Sequence, residues 1–255
     1  MWRDHNIAVV VPAYCEERLL PKTLETMPDF VDRVIVVDDG SPDDTYEVAR
    51  RRADVDDRIE ALRLGYNSGV GAAIVAGYRR ALELHADVVA VMAADAQMDP
   101  DDLEGVIAPI VDGDADYSKG DRLAHRRADQ MPTIRRLGTR ILADLTGLVA
   151  GKPELSDSQC GYTAISASML RELPLDELYP RYGYPNDLLL RLAECDAELA
   201  QPTVRPVYGD EVSGFNWRAV IAPISAILLR GVGRRMWRPI RRGLREALRA
   251  AVVKS

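Results

Sequence analysis

Two uninterrupted apolar runs, Ala8–Val11 and Val34–Val37, limit most strongly what this chain can fold into. A strand with one wet face alternates apolar and polar side chains, whereas a strand apolar at every position has both faces covered, as inside a parallel sheet. Strands are read at Ile7–Pro12, Arg33–Asp38, Ile59–Leu64 and Asp87–Ala93. Helical patterns near Glu16–Thr26, Asp43–Arg52 and Val70–Leu84 separate them, and a further helix runs from Pro100 to Val111. Strand and helix in alternation is the mark of βαβ units, so the expected fold class is α/β with a mostly parallel central sheet flanked by helices.

Further strands are expected at Asp116–Lys119 and Thr163–Ser166, a short helix at Pro185–Cys195 and an extended segment at Glu198–Tyr208. Pro132–Val149 reads as a helix with Ile134, Leu137, Ile141, Leu145 and Leu148 on one face. A length of 255 residues and 47% hydrophobic content fit one α/β domain with additions.

Charge is unevenly placed. Residues 216–255 carry ten basic side chains against one acid, Glu246, for a charge of +9, so the remainder carries −16 in a chain whose total is −7. The division expected is therefore an acidic body at 1–215 and a basic amphipathic tail at 216–255 that meets an anionic partner. Ala219–Leu229 gives eleven residues too short to span a bilayer, which takes about 20, but long enough for a surface helix flanked by Trp217 and Trp237. The alternative is a core helix with a solvated arginine face. No leader or spanning segment is read, so the chain is expected to be cytoplasmic and peripheral on the inner face of the cell membrane, without a nucleic-acid partner. Cys15, Cys160 and Cys195 form no CxxC pair and His5, His85 and His125 are scattered, so neither a disulfide framework nor a zinc site is suggested.

In an open parallel sheet, ligands bind beyond the carboxyl ends of the strands. Polar clusters stand there: Pro12 to Glu17, Asp38 to Ser41 and Ala94 to Pro100. Asn67 to Ala73 opens a helix, where Gly69 and Gly71 would let backbone amides approach a diphosphate. Each cluster alone is ordinary turn or cap chemistry, but four in one half of an α/β chain point to a nucleotide site.

The series VVVPAYCEE, VIVVDDGSPDDT, YNSGVGAA and VMAADAQMDPDDL, continued by YSKGDR, RRLGTRIL, DSQCGYTAIS and GYPNDLLLRL, resembles glycosyltransferase family 2 over roughly residues 6 to 210. Within it the chain is most similar to the dolichyl-phosphate and other polyprenyl-phosphate sugar synthases. The resemblance implies a GT-A fold and inverting transfer of a hexose from a nucleotide-diphosphate sugar to a polyprenyl phosphate. It places Pro12, Ala13, Tyr14 and Glu16 around the base, Asp38 and Asp39 at the base or ribose, and Asp95, Ala96 and Gln97 at the diphosphate.

Asp95 and Gln97 would also hold Mg²⁺ or Mn²⁺, although Ala93 stands where the family's motif has its first acid. Arg122 and Arg136 match phosphate-binding positions, for which the arginine fork is suited. Asp157 and Asp187 are expected near the acceptor, with Gln159, Gly161 and Tyr162 shaping its pocket. A hydroxyl acceptor would need Asp187 as a general base, whereas a phosphate acceptor would leave it to orient the acceptor or to hold an arginine. Two other readings stand beside this one, transfer to a glycan or small-molecule hydroxyl and a regulator that binds nucleotide sugar without catalysis. The donor clefts all precede residue 210, so the tail is expected to be separable from nucleotide binding.

Overall fold

The computed structural model describes residues 1–207 and 222–236. Trp217, Trp237 and most of the basic tail lie outside the described residues. In chain order the elements are β1 (Ile7–Ala13), α1 (Leu20–Glu25), β2 (Arg33–Asp38), α2 (Thr45–Ala53), β3 (Ile59–Arg63), α3 (Val70–Glu83) and β4 (Val88–Val91). A 3-10 turn at Pro100–Asp102 leads into α4 (Leu103–Val111), followed by β5 (Tyr117–Lys119), α5 (Thr133–Ala150), β6 (Thr163–Ser166), α6 (Ala167–Glu172), α7 (Tyr184–Glu194) and β7 (Leu199–Ala200). Residues 222–236 are helical and are called α8.

The seven strands form one sheet in the order β3-β2-β1-β4-β6-β5-β7. β6 runs antiparallel to both neighbours, and the remaining pairs are parallel. Covering both faces divides the apolar runs between two cores. Val9, Val11, Val34 and Val36 face one, while Ala8, Val10, Ile35 and Val37 face the other. The register sets the site's frame, pairing Ala13 with Asp38, Asp38 with Arg63 and Val91 with Thr163. The ends of β1 to β5 and the start of β6 thus meet along one edge.

The first helix begins four residues later than its pattern suggested, because Glu16 to Leu19 form a turn tied to the start of α2: Glu16 N–H donates to Thr45 Oγ1 at 2.8 Å. A larger departure concerns α5. Its buried side is the small-residue face of Thr139, Ala143, Thr146 and Gly147, while Ile134, Leu137, Ile141, Leu145 and Leu148 are 47–70% exposed. The apolar stripe read from the sequence therefore points outward, because small side chains let α5 lie close to its neighbours.

α8 divides in the same manner. Ile224 and Ile227 are buried against the body, and Leu229, Val232 and Met236 are exposed. A Cβ at Gly231 would lie 2.6 Å from Leu190, and Arg235 donates to the last carbonyls of α5, Leu148 O at 2.7 Å and Val149 O at 3.0 Å. Within its described residues the helix therefore packs one apolar side against the body, as the core-helix alternative expected, and leaves the other side exposed.

Among the glycines of the described residues, Gly77 of α3 makes a tight helix-to-sheet approach to Val10 of β1, a Cβ there standing 2.3 Å from the valine side chain. Overpacking costs about 1–3 kcal/mol, so Gly77→Ala is expected to lower the thermal midpoint by roughly 2–12 °C. In contrast Gly105, in α4 with nothing within 4 Å of its added Cβ, should tolerate alanine without loss. Equal midpoints for the two variants in a melting experiment would refute this packing.

Candidate active site

At the edge where the parallel strands end, short loops are hydrogen-bonded to one another. Asp39 N–H donates to Ala13 O at 2.9 Å, and Cys15 N–H to Ser41 Oγ at 3.0 Å. Asp38 is fully buried, accepts from Ser41 N–H at 3.0 Å and pairs with Arg63 at 3.2 Å. Pro12 and Ala13 form the end of β1, while Tyr14 stands 45% exposed beyond them, beside Glu16.

Asp39 receives Ser68 N–H on one carboxylate oxygen and Gly69 N–H on the other, both at 2.7 Å. The next amides, Gly71 N–H at 2.8 Å and Ala72 N–H at 3.2 Å, donate to Pro180 O. The amides expected to approach a diphosphate are therefore engaged within the protein. Their glycines have a different cause: a Cβ on Gly69 would lie 2.4 Å from Pro180 O, and one on Gly71 2.6 Å from Tyr179 O. Gly69 also has φ +103°, which side chains avoid.

The loop after β4 turns sharply at Ala96 (φ 54°), so that Asp95 Oδ1 accepts Gln97 N–H at 3.0 Å. Burial raises the Asp95 carboxyl above its ordinary value, and the Gln97 amide only partly offsets this. Among the described residues no group of three or more His, Cys, Asp or Glu could hold a metal ion. The half-buried Asp95 carboxylate and the side-chain amide that Gln97 carries two residues on are hard-oxygen donors of the kind that fit Mg²⁺ or Mn²⁺ when phosphate oxygens and water complete the shell.

Opposite lies the segment 157–162, which enters β6 from the same edge. Asp157 is 1% exposed and grips Arg122 in a fork, Nε to Oδ2 at 2.8 Å and Nη2 to Oδ1 at 3.1 Å. Burial alone would raise this carboxyl, but the Arg122 charge and hydrogen bonds hold it below the usual carboxylate range. Gln159 reaches Asn186 at 2.9 Å, and Asn186 reaches Thr146 of α5 at 2.7 Å. Tyr162 Oη donates to Asp99 O at 3.0 Å, and a Cβ on Gly161 would stand 3.1 Å from Met98. This segment is thereby joined to the Asp95 loop. Arg136, by contrast, is exposed on the first turn of α5 next to the apolar stripe.

Asp187 is 5% exposed on the first turn of α7. Its Oδ2 accepts Tyr179 N–H at 3.0 Å, and its Oδ1 receives Arg234 of α8 at 3.1 Å. Of the roles left open by the sequence, holding an arginine is the one its contacts display. Three participants were not read from the sequence: Arg234, the 179–181 segment and Lys119. The last is buried in β5, donates to Cys160 O and has its ammonium pKa lowered by burial. The glycines at 69 and 71 were the available signal for the second.

The model of the family described as glycosyl transferase family 2 matches residues 8–173. The chain is 28% identical over 219 residues to the UDP-N-acetylglucosamine–dolichyl-phosphate N-acetylglucosaminyltransferase of Methanococcus voltae, covering 80% of this chain and 87% of the relative. It is 30% identical over 203 residues to the undecaprenyl-phosphate mannosyltransferase of Micrococcus luteus, covering 77% and 81%. Its fold superposes on glucosyl-3-phosphoglycerate synthase of Mycobacterium tuberculosis with a TM-score of 0.67 at 22% identity, over 90% of this chain and 81% of that one. That enzyme has also been crystallised with Mn²⁺ and uridine diphosphate. With a GT-A architecture, a polar edge at the strand ends and a family match over well more than half its length, the chain belongs to glycosyl transferase family 2.

Proposed function

We propose that this enzyme transfers a hexose, with inversion, from a UDP- or GDP-sugar to a polyprenyl phosphate, while peripherally bound to the cytoplasmic face of the membrane. The observation that carries the lipid acceptor is the outward apolar stripe of α5. Leu148 at its end lines one cavity with Val232 and Met236 of α8, so two exposed apolar faces are continuous. Exposed Arg135, Arg136, Arg140 and Arg230 border them. An apolar face rimmed by cations suits the headgroup level of an anionic bilayer, where each arginine contributes about 1 kcal/mol. The two relatives named above act, by their names, on dolichyl and undecaprenyl phosphate.

On this reading the 1–215 body carries catalysis and the 216–255 tail adds membrane attachment. Pro12, Ala13, Tyr14, Glu16 and Asp39 face the nucleoside, while the fully buried Asp38 supports them by holding Ser41 and Arg63, and Gly69 and Gly71 shape the wall behind Asp39. Asp95, Ala96 and Gln97 meet the diphosphate, Asp95 and Gln97 being the residues that would hold Mg²⁺ or Mn²⁺. When bound, such a cation neutralises charge as the nucleoside diphosphate departs. Arg122, fixed by Asp157, and Arg136 at the rim bind the acceptor phosphate, and Gln159, Gly161 and Tyr162 wall its pocket. One phosphate oxygen bonds to the anomeric carbon as the bond from that carbon to the diphosphate breaks, with no covalent sugar–enzyme intermediate. A phosphate monoester, with a second pKa of about 6, is already a nucleophile at neutral pH. The acceptor therefore needs no general base, in keeping with an Asp187 held by Arg234 and the Tyr179 amide.

Incubation with UDP- and GDP-hexoses, Mg²⁺ or Mn²⁺ and polyprenyl phosphate in anionic vesicles should yield lipid-linked sugar. Product formed only with soluble hydroxyl acceptors would reverse the assignment. The double variant Ile141→Glu/Leu145→Glu should melt as the parent does, because both side chains are exposed, yet lose vesicle binding and lipid transfer by about tenfold or more. Unchanged transfer would remove α5 from the membrane contact. Asp95→Ala is expected to abolish metal-dependent nucleotide binding. Because the Asp95 carboxyl is raised and only its ionised form binds a cation, the parent's affinity should decline with falling pH before the ordinary carboxylate value of about 4 is reached. Titration calorimetry across that range checks both statements, and a pH-independent affinity would displace the metal from Asp95.

A further inference from the structure

The geometry points to Arg234 as a positioning residue of the donor pocket, acting from α8 through Asp187 and the segment 179–181. This rests on the assignment of Asp39 to the donor. Arg234 reaches Asp187 Oδ1 at 3.1 Å and Glu194 at 2.5 Å, with its side chain 19% exposed. The other oxygen of Asp187 fixes the backbone of Tyr179 at 3.0 Å. One residue on, Pro180 O accepts the Gly71 and Ala72 amides at the start of α3. Arg181 then donates to Asn67, at 3.2 Å to its side-chain oxygen and 3.0 Å to its carbonyl. Ser68 and Gly69, between these two anchors, give their amides to Asp39. Hydrogen bonds linked by two short stretches of backbone, 179–181 and 67–72, thus join α8 to the carboxylate assigned to the nucleoside.

The approach is too tight to be incidental. Added Cβ atoms at Gly69 and Gly71 would collide with Pro180 and Tyr179, and one at Gly183 would lie 2.2 Å from Ile227 of α8. The segment is therefore held between α3 and α8 by glycines at both contacts. Releasing its α8 end frees the 67–69 turn and with it the orientation of Asp39, so donor binding loses preorganisation. The sequence-based expectation that the tail is separable from nucleotide binding is replaced on this account by coupling.

The test is titration calorimetry of the full chain with UDP and with GDP in Mn²⁺. For whichever nucleotide the parent binds, Arg234→Ala should weaken affinity by about fivefold or more, at the lower end of coupling between sites. Arg234→Lys, which keeps a cation near Asp187, should recover about half of that loss on a logarithmic scale or more. Arg181→Ala removes only an exposed side chain, and so tests the far end of the segment without disturbing the α8 contact; it should show a loss of similar size. Independent distant sites multiply their effects to within about twofold, whereas the Arg234→Ala/Arg181→Ala double variant should fall well short of the product.

Parent-like affinity in both single variants, or multiplicative losses in the double, would overturn the inference while leaving the donor reading intact. Should Arg234→Ala melt too low to assay, parent-like affinity in Arg181→Ala overturns it alone. A folded parent that binds neither nucleotide would instead overturn the donor reading, and this inference with it.

Discussion

Everything at the candidate site depends on the parallel register of β1 with β2 and β4. Parallel strands bring their carboxyl ends to the same edge, and the pairings Ala13 with Asp38 and Val10 with Val91 fix which loops meet there. The antiparallel β6 extends this arrangement: because Thr163 pairs with both Val91 and Lys119, the residues before β6 reach the same edge as those after β4 and β5. The segments that carry Asp95, Arg122 and Asp157 are brought to one edge for that reason, although 62 residues separate the outer two in sequence. Buried strands make such an edge rigid, and loops mounted on a rigid sheet can hold catalytic groups in place.

Charge around this edge is arranged in pairs that fix one another. Asp157 is almost fully buried, and a buried carboxylate without a partner would be costly, so the Arg122 fork stabilises the acid while the acid orients the guanidinium. Asp187 stands in the same relation to Arg234. Each carboxylate has both oxygens engaged, which suits it to holding a cation and the adjoining backbone in register.

Small residues determine which surfaces remain open. α5 buries threonine, alanine and glycine and exposes Ile134, Leu137, Ile141, Leu145 and Leu148, an inversion that allows close helix packing on one side and presents an apolar face on the other. α8 continues that face while its opposite side packs against α7 through Gly231 and Arg234. The same helix thus has one exposed apolar face and another tied through Asp187 to the 179–181 segment.

The α/β class, the order of the elements apart from the short α6, and the polar clusters at the strand ends were legible in the sequence, because unbroken apolar runs and turn residues are local signals of burial and strand termination. Family membership was legible too, since the motifs from VVVPAYCEE to GYPNDLLLRL keep their order along the chain. The direction of the α5 stripe was not legible: helical spacing shows that Ile134 and Leu145 share a face, but only packing decides whether that face is covered. Nor could spacing reveal that Gly69 and Gly71 accommodate Pro180 and Tyr179, more than 100 residues away, or that Asp187 would meet Arg234. Local sequence determines which residues lie on each strand, turn and helix face. Partnership between distant segments depends on how close their backbones come, and that was decided by tertiary packing alone.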